Sequence, residues 1–263
     1  HVVPVHPGLT RRGGKKRGED FDEGGFAGPV RAEQAEQFAG LHFQAGQYVQ
    51  ISLPGIEGDR PFSIANSPEE IARTGELEIN VRIIAGGAGT TYLHEKLKVG
   101  DKLHVTGPYG RFFVRTSANA PMIFMAGGSG LSSPRSMILD LLAQGCKQPI
   151  TLVYGQRNKA ELYYDDEFKA LAAAHPNFKY VPALSDDAAG FDGFKGFVHE
   201  AAQQHFNGDF SGQKAYLCGP PAMIEACLGT LMQGRLYERD IYAEKFITAA
   251  DAAKPRSALF KRV

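Results

Sequence analysis

The sequence predicts two domains: a small antiparallel β-barrel over residues 41–117, then an α/β domain with a parallel sheet over residues 121–251. Three observations carry this. Before Pro121 the apolar residues fall in short stretches separated by Gly- and Pro-rich turns, with one short helical stretch among them, the pattern of a barrel. After Pro121 strands and helices alternate, which demands a parallel sheet covered on both faces. The 263 residues suffice for two separate cores, and the rhythm changes near 117–121.

Residues 1–40 read differently from the rest of the chain. They are dense in Gly, Pro and charge, with a basic cluster (Arg11, Arg12, Lys15, Lys16, Arg17) ahead of an acidic one (Glu19, Asp20, Asp22, Glu23), and show no clean period. A poorly ordered segment is expected there, and a short tail over 252–263. In the barrel, strands are expected around Leu41 and Phe43, over Tyr48 to Leu53, from Arg60, over Lys102 to Thr106 and over Phe112 to Val114. Leu77, Ile79, Val81 and Ile83 alternate with Glu76, Glu78, Asn80 and Arg82, which predicts a half-buried strand with one polar face. In the second domain strands are expected over Met122 to Ala126, Ile150 to Tyr154, Phe178 to Ala183, Lys214 to Cys218 and Ile241 to Glu244. The intervening helices are expected over Ser133 to Ala143, Glu161 to Ala174, Val198 to Phe206 and Ala222 to Gln233.

Composition narrows the function. Lys plus Arg and Asp plus Glu both number 29, so no global field favours nucleic acid or an anionic membrane. No continuous apolar run is long enough to span a bilayer. Three cysteines form no disulfide framework and suit a reducing cytoplasm. The histidines show no metal-ligand spacing, so no metal site is expected.

The chemistry-bearing pieces lie at strand ends and glycine turns. Met122 to Ala126 delivers the chain into Gly127, Gly128 and Gly130 just before a helix, where backbone N–H groups can face a phosphate. Arg60 beside Pro61 offers a bidentate fork to phosphate, Phe62 an aromatic face and Ser63 a hydroxyl. Gly87 to Thr90 is expected to make a second glycine turn at a helix start, where N–H groups and the Thr90 hydroxyl can receive a pyrophosphate. Cys218-Gly219-Pro220-Pro221 and Tyr154-Gly155-Gln156-Arg157 end parallel strands, where ligands of such sheets lie, and are expected to aim Cys218 and Arg157 into that crevice. Each piece alone also fits a structural role: a surface ion pair for Arg60 or Arg157, a core position for Phe62, a plain loop for Gly86 to Gly89, an inert buried thiol for Cys218.

Taken in order, the pieces resemble the ferredoxin-NADP reductase superfamily. R-P-F-S is similar to its flavin motif R-x-Y-S, and G-A-G-T-T-Y-L to its pyrophosphate motif G-x-x-S-x-x-L. GGSGLSSPRSM resembles its nicotinamide-dinucleotide turn and CGPPAM its C-G-P-x-x-M. Within the superfamily, GQYVQISLPGIEGDRPFSIANSP, TYLHEKLKVGD and LMQGRLYERDIYAEKFITAAD resemble reductase components of bacterial multicomponent phenol hydroxylases.

The resemblance implies an FAD-binding barrel followed by an NADH-binding domain, with NADH reducing the flavin and the flavin passing electrons to an iron-sulfur centre of a di-iron oxygenase system. It implies that Arg60 and Pro61 hold the FAD pyrophosphate with Gly87, Thr90 and Thr91, that Phe62 packs on the flavin, and that Ser63 hydrogen-bonds near N5. Gly127, Gly128, Gly130 and Ser132 would line the NADH diphosphate with Arg157 nearby, and Cys218, Gly219 and Pro220 would sit by the nicotinamide. Glu244 and Phe246 would close the far side of the flavin, and Ser63, Cys218 and Glu244 would be the catalytic groups. Carboxylates at Ser185-Asp186-Asp187 favour NADH over NADPH. Relatives carry a ferredoxin domain with a C-x4-C-x2-C…C set for a 2Fe-2S cluster, and Cys146, Cys218 and Cys227 are not that set. Relatives also open the barrel with an alternating strand before the equivalent of Leu41, a pattern that residues 1–40 lack. Two other readings stay open: a standalone flavin or ferredoxin reductase, and a nucleotide-binding module without catalysis.

Overall fold

The computed structural model describes residues 2–4, 30–33, 41–115 and 119–246. An antiparallel barrel-like half packs against a six-stranded parallel α/β half. The first half comprises β1 (Val2–Pro4), β2 (Val30–Glu33), β3 (Tyr48–Ser52), β4 (Arg60–Ser63), α1 (Pro68–Thr74), β5 (Glu76–Ile79), α2 (Ala88–Thr91) continued by a π-helical turn (Tyr92–Lys96), and β6 (Lys102–Tyr109). Its strands pair in the order β1-β6-β3-β4, beside the pair β2-β5, and an Ile64–Ile79 bridge joins the two sheets. Two strands, β1 and β2, thus come from the segment expected to stand apart; the rest of residues 1–40, the segment 116–118 and the tail from 247 lie outside the described residues.

Local chemistry explains the boundaries. Ser67 caps α1 in a reciprocal box with Glu70, Pro68 occupies its first turn, and Gly75 ends it at φ 70°. The expected strands at Leu41/Phe43 and Phe112–Val114 are absent from the sheets, and these residues run as irregular chain. Instead Phe112 and Ala45 are buried in a core cluster of the second half. The backbone of Gly46, at φ 102°, presses so closely on Met137 and the Phe112 carbonyl that any Cβ there would collide with both.

The second half comprises β7 (Met122–Gly127), a 3₁₀ turn (Gly128–Leu131), α3 (Ser132–Ala143), β8 (Ile150–Asn158), α4 (Asp165–Ala174), β9 (Phe178–Asp187), β10 (Phe194–Lys195), α5 (Val198–His205), β11 (Lys214–Gly219), α6 (Pro221–Gln233) and β12 (Ile241–Lys245). The strand order is β10-β9-β8-β7-β11-β12, with all these pairs parallel. Alternate residues serve opposite faces. Phe124, Leu152, Tyr154 and Tyr216 pack beneath Met137 and Phe168, while Ile123, Met125, Val153 and Leu217 pack against Val198, Ala202 and Leu228. The order reverses direction around β7, which puts the β7 and β11 carboxyl ends at the switch point where such sheets bind ligands. The helix expected from Glu161 starts at Asp165, and β10 lies where a loop was expected.

The middle of the polar face of the Leu77–Ile83 stretch does not meet solvent: Glu78 and Asn80 are 3% and 7% exposed, while Glu76 and Arg82 at its ends stay partly exposed. The second half covers that face, and Tyr164 Oη lies 2.7 Å from Glu78 Oε1 and 2.8 Å from Asn80 Oδ1. At the centre of this seam is Arg135 on α3, only 3% exposed. Its guanidinium donates to the Ala65 carbonyl at 2.8 Å and meets Glu167 at 2.9 Å, Glu70 at 3.5 Å and Glu78 at 3.7 Å. It also lies 4.4 Å over the Tyr164 ring. Burial alone would push Arg135 down, but Glu167, Tyr164, Glu78 and Glu70 outweigh it and hold the cation charged.

Replacing Arg135 by Met should strand Glu78 and Glu167 without their cation and cost about 3–5 kcal/mol. Equilibrium urea unfolding checks this through the midpoint. Glu70→Gln, which alters the more exposed rim of the cluster, should cost no more than about 1 kcal/mol.

Candidate active site

The seam opens into a cavity of ≈ 810 Å³ between the two halves. One wall is built by β4, where Arg60, Pro61, Phe62 and Ser63 all line the space. The stretch after β5 continues this wall through Asn80 and Arg82 to Ile84, and Thr90 closes its end. The opposite wall is the glycine turn after β7, with Gly127, Gly128, Ser129 and Ser132, beside Pro220. Glu244, Lys245 and Phe246, at the end of β12, complete the enclosure.

The two glycine turns are each fixed by close packing. A Cβ on Gly127 would meet the Met223 sulfur, and one on Gly130 would meet the Cys218 carbonyl, so the β7 and β11 turns lock into each other. Gly128, at φ 59°, needs its left-handed freedom, and a Cβ there would stand 3.9 Å from Arg82 Nη1 across the cavity. On the barrel side, a Cβ on Gly89 would come within 3.1 Å of the Arg60 side chain, so the folded chain brings the Arg60 and Gly87–Thr90 pieces together. Arg60 Nη1 donates to the Gly58 and Glu57 carbonyls at 2.9 and 3.1 Å, which anchors the fork at the cavity edge. The Thr90 hydroxyl is engaged in its own turn, donating to the Gly87 carbonyl and accepting from Ile84 N–H.

The polar convergence is at Glu244. Its Oε2 accepts from Ser133 Oγ at 3.2 Å and from Ser63 Oγ at 3.4 Å, and Cys218 Sγ lies 3.9 Å away. The register pairs Cys218 directly with Glu244 across β11 and β12, and Ser63 arrives from the barrel. Burial pushes the Glu244 carboxyl up, against the hydrogen bonds from Ser133, Ser63 and Cys218 that favour its charge. Burial pushes the Cys218 thiol well up, and the neighbouring Glu244 adds to this, so it stays a thiol.

Several expected site residues stand elsewhere. Arg157 does not enter the cavity; it pairs with Glu161 at 3.1 Å at the surface, because β8 runs on past Tyr154 and carries it beyond the crevice. Cys218 does not point into open space: it is fully buried beneath the cavity, where Phe246 N–H donates to the Gly219 carbonyl and ties the end of β12 across it. Gly87, Thr91, Gly130 and Gly219 support the turns without lining the space. Sequence reasoning missed Asn80 and Arg82, hidden in a strand read as half solvated, and Ser133, whose only signal was its place beside Ser132. Among the described residues no group of three or more His, Cys, Asp or Glu is arranged to hold a metal.

Comparison with known proteins agrees with this geometry. The oxidoreductase FAD-binding domain matches residues 31–114 and the oxidoreductase NAD-binding domain residues 124–228. The solved structure of the cytochrome P450 reductase GcoB from Amycolatopsis is similar at a TM-score of 0.76 and 30% identity, over 94% of this chain and 70% of that one. The chain belongs to the ferredoxin reductase family of FAD- and NAD-binding oxidoreductases. Family relatives include the phenol 2-monooxygenase reductase component DmpP of Pseudomonas sp. strain CF600, 60% identical over 85% of this chain. The phenol hydroxylase P5 protein of Acinetobacter pittii strain PHEA-2 is 53% identical over 85% of this chain. The chain spans 64% of the length of each of these two relatives. The FAD-binding domain match begins inside β2, so part of the segment expected to stand apart belongs to it.

For Glu244 the sign of the pH effect follows from burial. Its folded value is raised, so its contribution to stability is fully present below the ordinary value of 4.5 and is lost as pH rises through the folded value. Glu244→Gln should therefore gain in Tm relative to the parent as pH rises above the ordinary carboxylate value of 4.5. A difference that stays constant over this rise, measured by thermal denaturation, would show that Glu244 does not titrate from a buried position.

Proposed function

We propose that this chain is the NADH-dependent FAD reductase module of a phenol or aromatic-ring monooxygenase, which passes electrons from NADH through FAD toward an iron-sulfur acceptor of the oxygenase system. The observation that carries the reading is the cavity shared by both halves, with Ser63 of the barrel and the Ser133–Cys218–Glu244 group of the α/β half meeting at one carboxylate oxygen. The names of the relatives, a phenol 2-monooxygenase reductase component and a phenol hydroxylase P5 protein, support the acceptor side.

The residues present fit both groups. A mostly apolar slot with an aromatic side chain, an Arg fork at one end and a glycine turn on the facing wall suits a flat ring system with phosphate tails. Arg60 and the Gly87–Thr90 turn would hold the flavin pyrophosphate, Phe62 would pack on the ring, and Ser63 would direct its hydroxyl at N5. Gly127, Gly128 and Ser132 would face the dinucleotide diphosphate, with Arg82 reaching toward the same turn from the barrel. When bound, nicotinamide and flavin supply the two-electron to one-electron conversion that side chains cannot perform. The protein's part is orientation and exclusion of water. Glu244 and Phe246 close the slot, and the buried Cys218 thiol beneath adds no charge of its own to that end. The Ser185-Asp186 carboxylate end of β9 suits a free ribose hydroxyl, which favours NADH over NADPH. A reducing cytoplasm suits the free thiols of Cys146, Cys218 and Cys227.

The test is stopped-flow absorbance of the FAD-reconstituted chain. The flavin band should bleach with NADH, at least about tenfold faster than with NADPH at equal concentration, and Ser63→Ala should slow bleaching about tenfold or more. A chain that binds FAD but is never reduced by either nucleotide would overturn the reading.

A further inference from the structure

We propose that Ser133 is a positioning residue: its hydroxyl keeps the Glu244 carboxylate in place when Ser63, that carboxylate's partner from the other half, turns into the cavity. The inference rests on the proposed reductase reading for the reason Ser63 turns. The geometry itself belongs to the chain alone.

One oxygen, Glu244 Oε2, faces three groups, and they are not equivalent. Ser63 lines the cavity and its contact, at 3.4 Å, is the longer of the two hydroxyl contacts. Ser133, at 3.2 Å, is wholly buried in the first turn of α3 and does not line the cavity. The Cys218 thiol, which also hydrogen-bonds with the Ser133 hydroxyl, is a weak donor and a weak acceptor and so competes poorly with the carboxylate for the Ser133 proton. A serine hydroxyl carries one proton, so Ser63 cannot donate to Glu244 and to a ligand at once. Any acceptor in the cavity therefore competes for Ser63 and leaves Ser133 untouched. A buried carboxylate stripped of its donors is costly, and it would either take up a proton or recapture Ser63. Ser133 prevents both outcomes.

Among the described residues no cation shares this spot. The adjacent Lys245 pairs with Glu225, and the titratable group facing the carboxylate is Cys218 on β11, itself kept neutral by burial. Ser133 is thus the one hydroxyl donor to Glu244 that ligand entry cannot remove. The start of α3 adds to the effect, since the first turn of a helix favours a nearby negative charge.

The test reads Glu244 itself. Infrared difference spectra across pH follow the protonated carboxyl band in the nucleotide-free chain, with the band assigned by its loss in Glu244→Gln. In Ser133→Ala the Glu244 titration should move up by about one pH unit, and Ser133→Thr, which keeps the hydroxyl, should titrate like the parent. In the FAD-loaded protein, the pH profile of NADH-driven flavin reduction should shift in the same direction in Ser133→Ala and return in Ser133→Thr. An unmoved titration in Ser133→Ala, or an Ala-like shift in Ser133→Thr, overturns the proposal. The infrared arm needs neither NADH nor turnover, so its failure is distinct from failure of the reductase reading.

Discussion

A buried guanidinium organises this molecule. Arg135 is the point where a barrel and an α/β sheet, each with its own core, become one structure with a cavity between them. A cation in that position is tolerable only because Glu70, Glu78, Glu167 and the Ala65 carbonyl surround it. Three of these four partners come from the barrel, so the charge cannot be satisfied unless the two halves are docked. The Asn66 carbonyl, receiving the Ser136 hydroxyl at 2.8 Å, repeats the bond one residue further along α3.

From this clamp the site follows by short hydrogen-bonded steps. Tyr164 stacks against Arg135 and reaches Glu78 and Asn80, and Asn80 donates to Ser132 at 3.0 Å, which in turn bonds the Ser129 carbonyl. The glycine turn after β7 is therefore tied to the barrel strand opposite it. On the far side of the cavity Ser63 and Glu244 make a second bridge between the halves. Between these two bridges lie the walls that line the slot, held at a fixed separation. Fixed separation is what a reaction between two bound rings requires, since small displacements of reacting groups are costly in rate.

Much of this was legible in the sequence because it is local. Period-two and period-3.6 patterns identify the strands and helices of the α/β half, and RPFS, GAGTTYL, GGSGLSSPRSM and CGPPAM mark the strand, turns and helix starts around the cavity. What was not legible depends on the partner surface. Glu78 and Asn80 look like the solvent side of a strand until the second half covers them. Arg135 sits inside a glycine-turn motif as an ordinary helical arginine, and nothing in its neighbours announces three carboxylates contributed from two domains. Arg157 and Cys218 were placed at strand ends correctly, but the length of β8 and the cover of Phe246 decide that neither faces the cavity. The strands β1 and β2 were hidden by a segment rich in Gly and charge, because a short strand that borrows its partner from a distant segment needs little pattern of its own.

The central claim is that one cavity, made by both halves, holds the flavin ring and the nicotinamide together. A crystal structure of the chain grown with FAD and NAD⁺ tests it most directly. Isoalloxazine density is expected against Phe62, with N5 at about 3 Å from Ser63 Oγ, and dinucleotide density at the Gly127–Gly128 turn. Flavin density outside this cavity, or nucleotides bound in two separate sites with Ser63 still on Glu244, would contradict it.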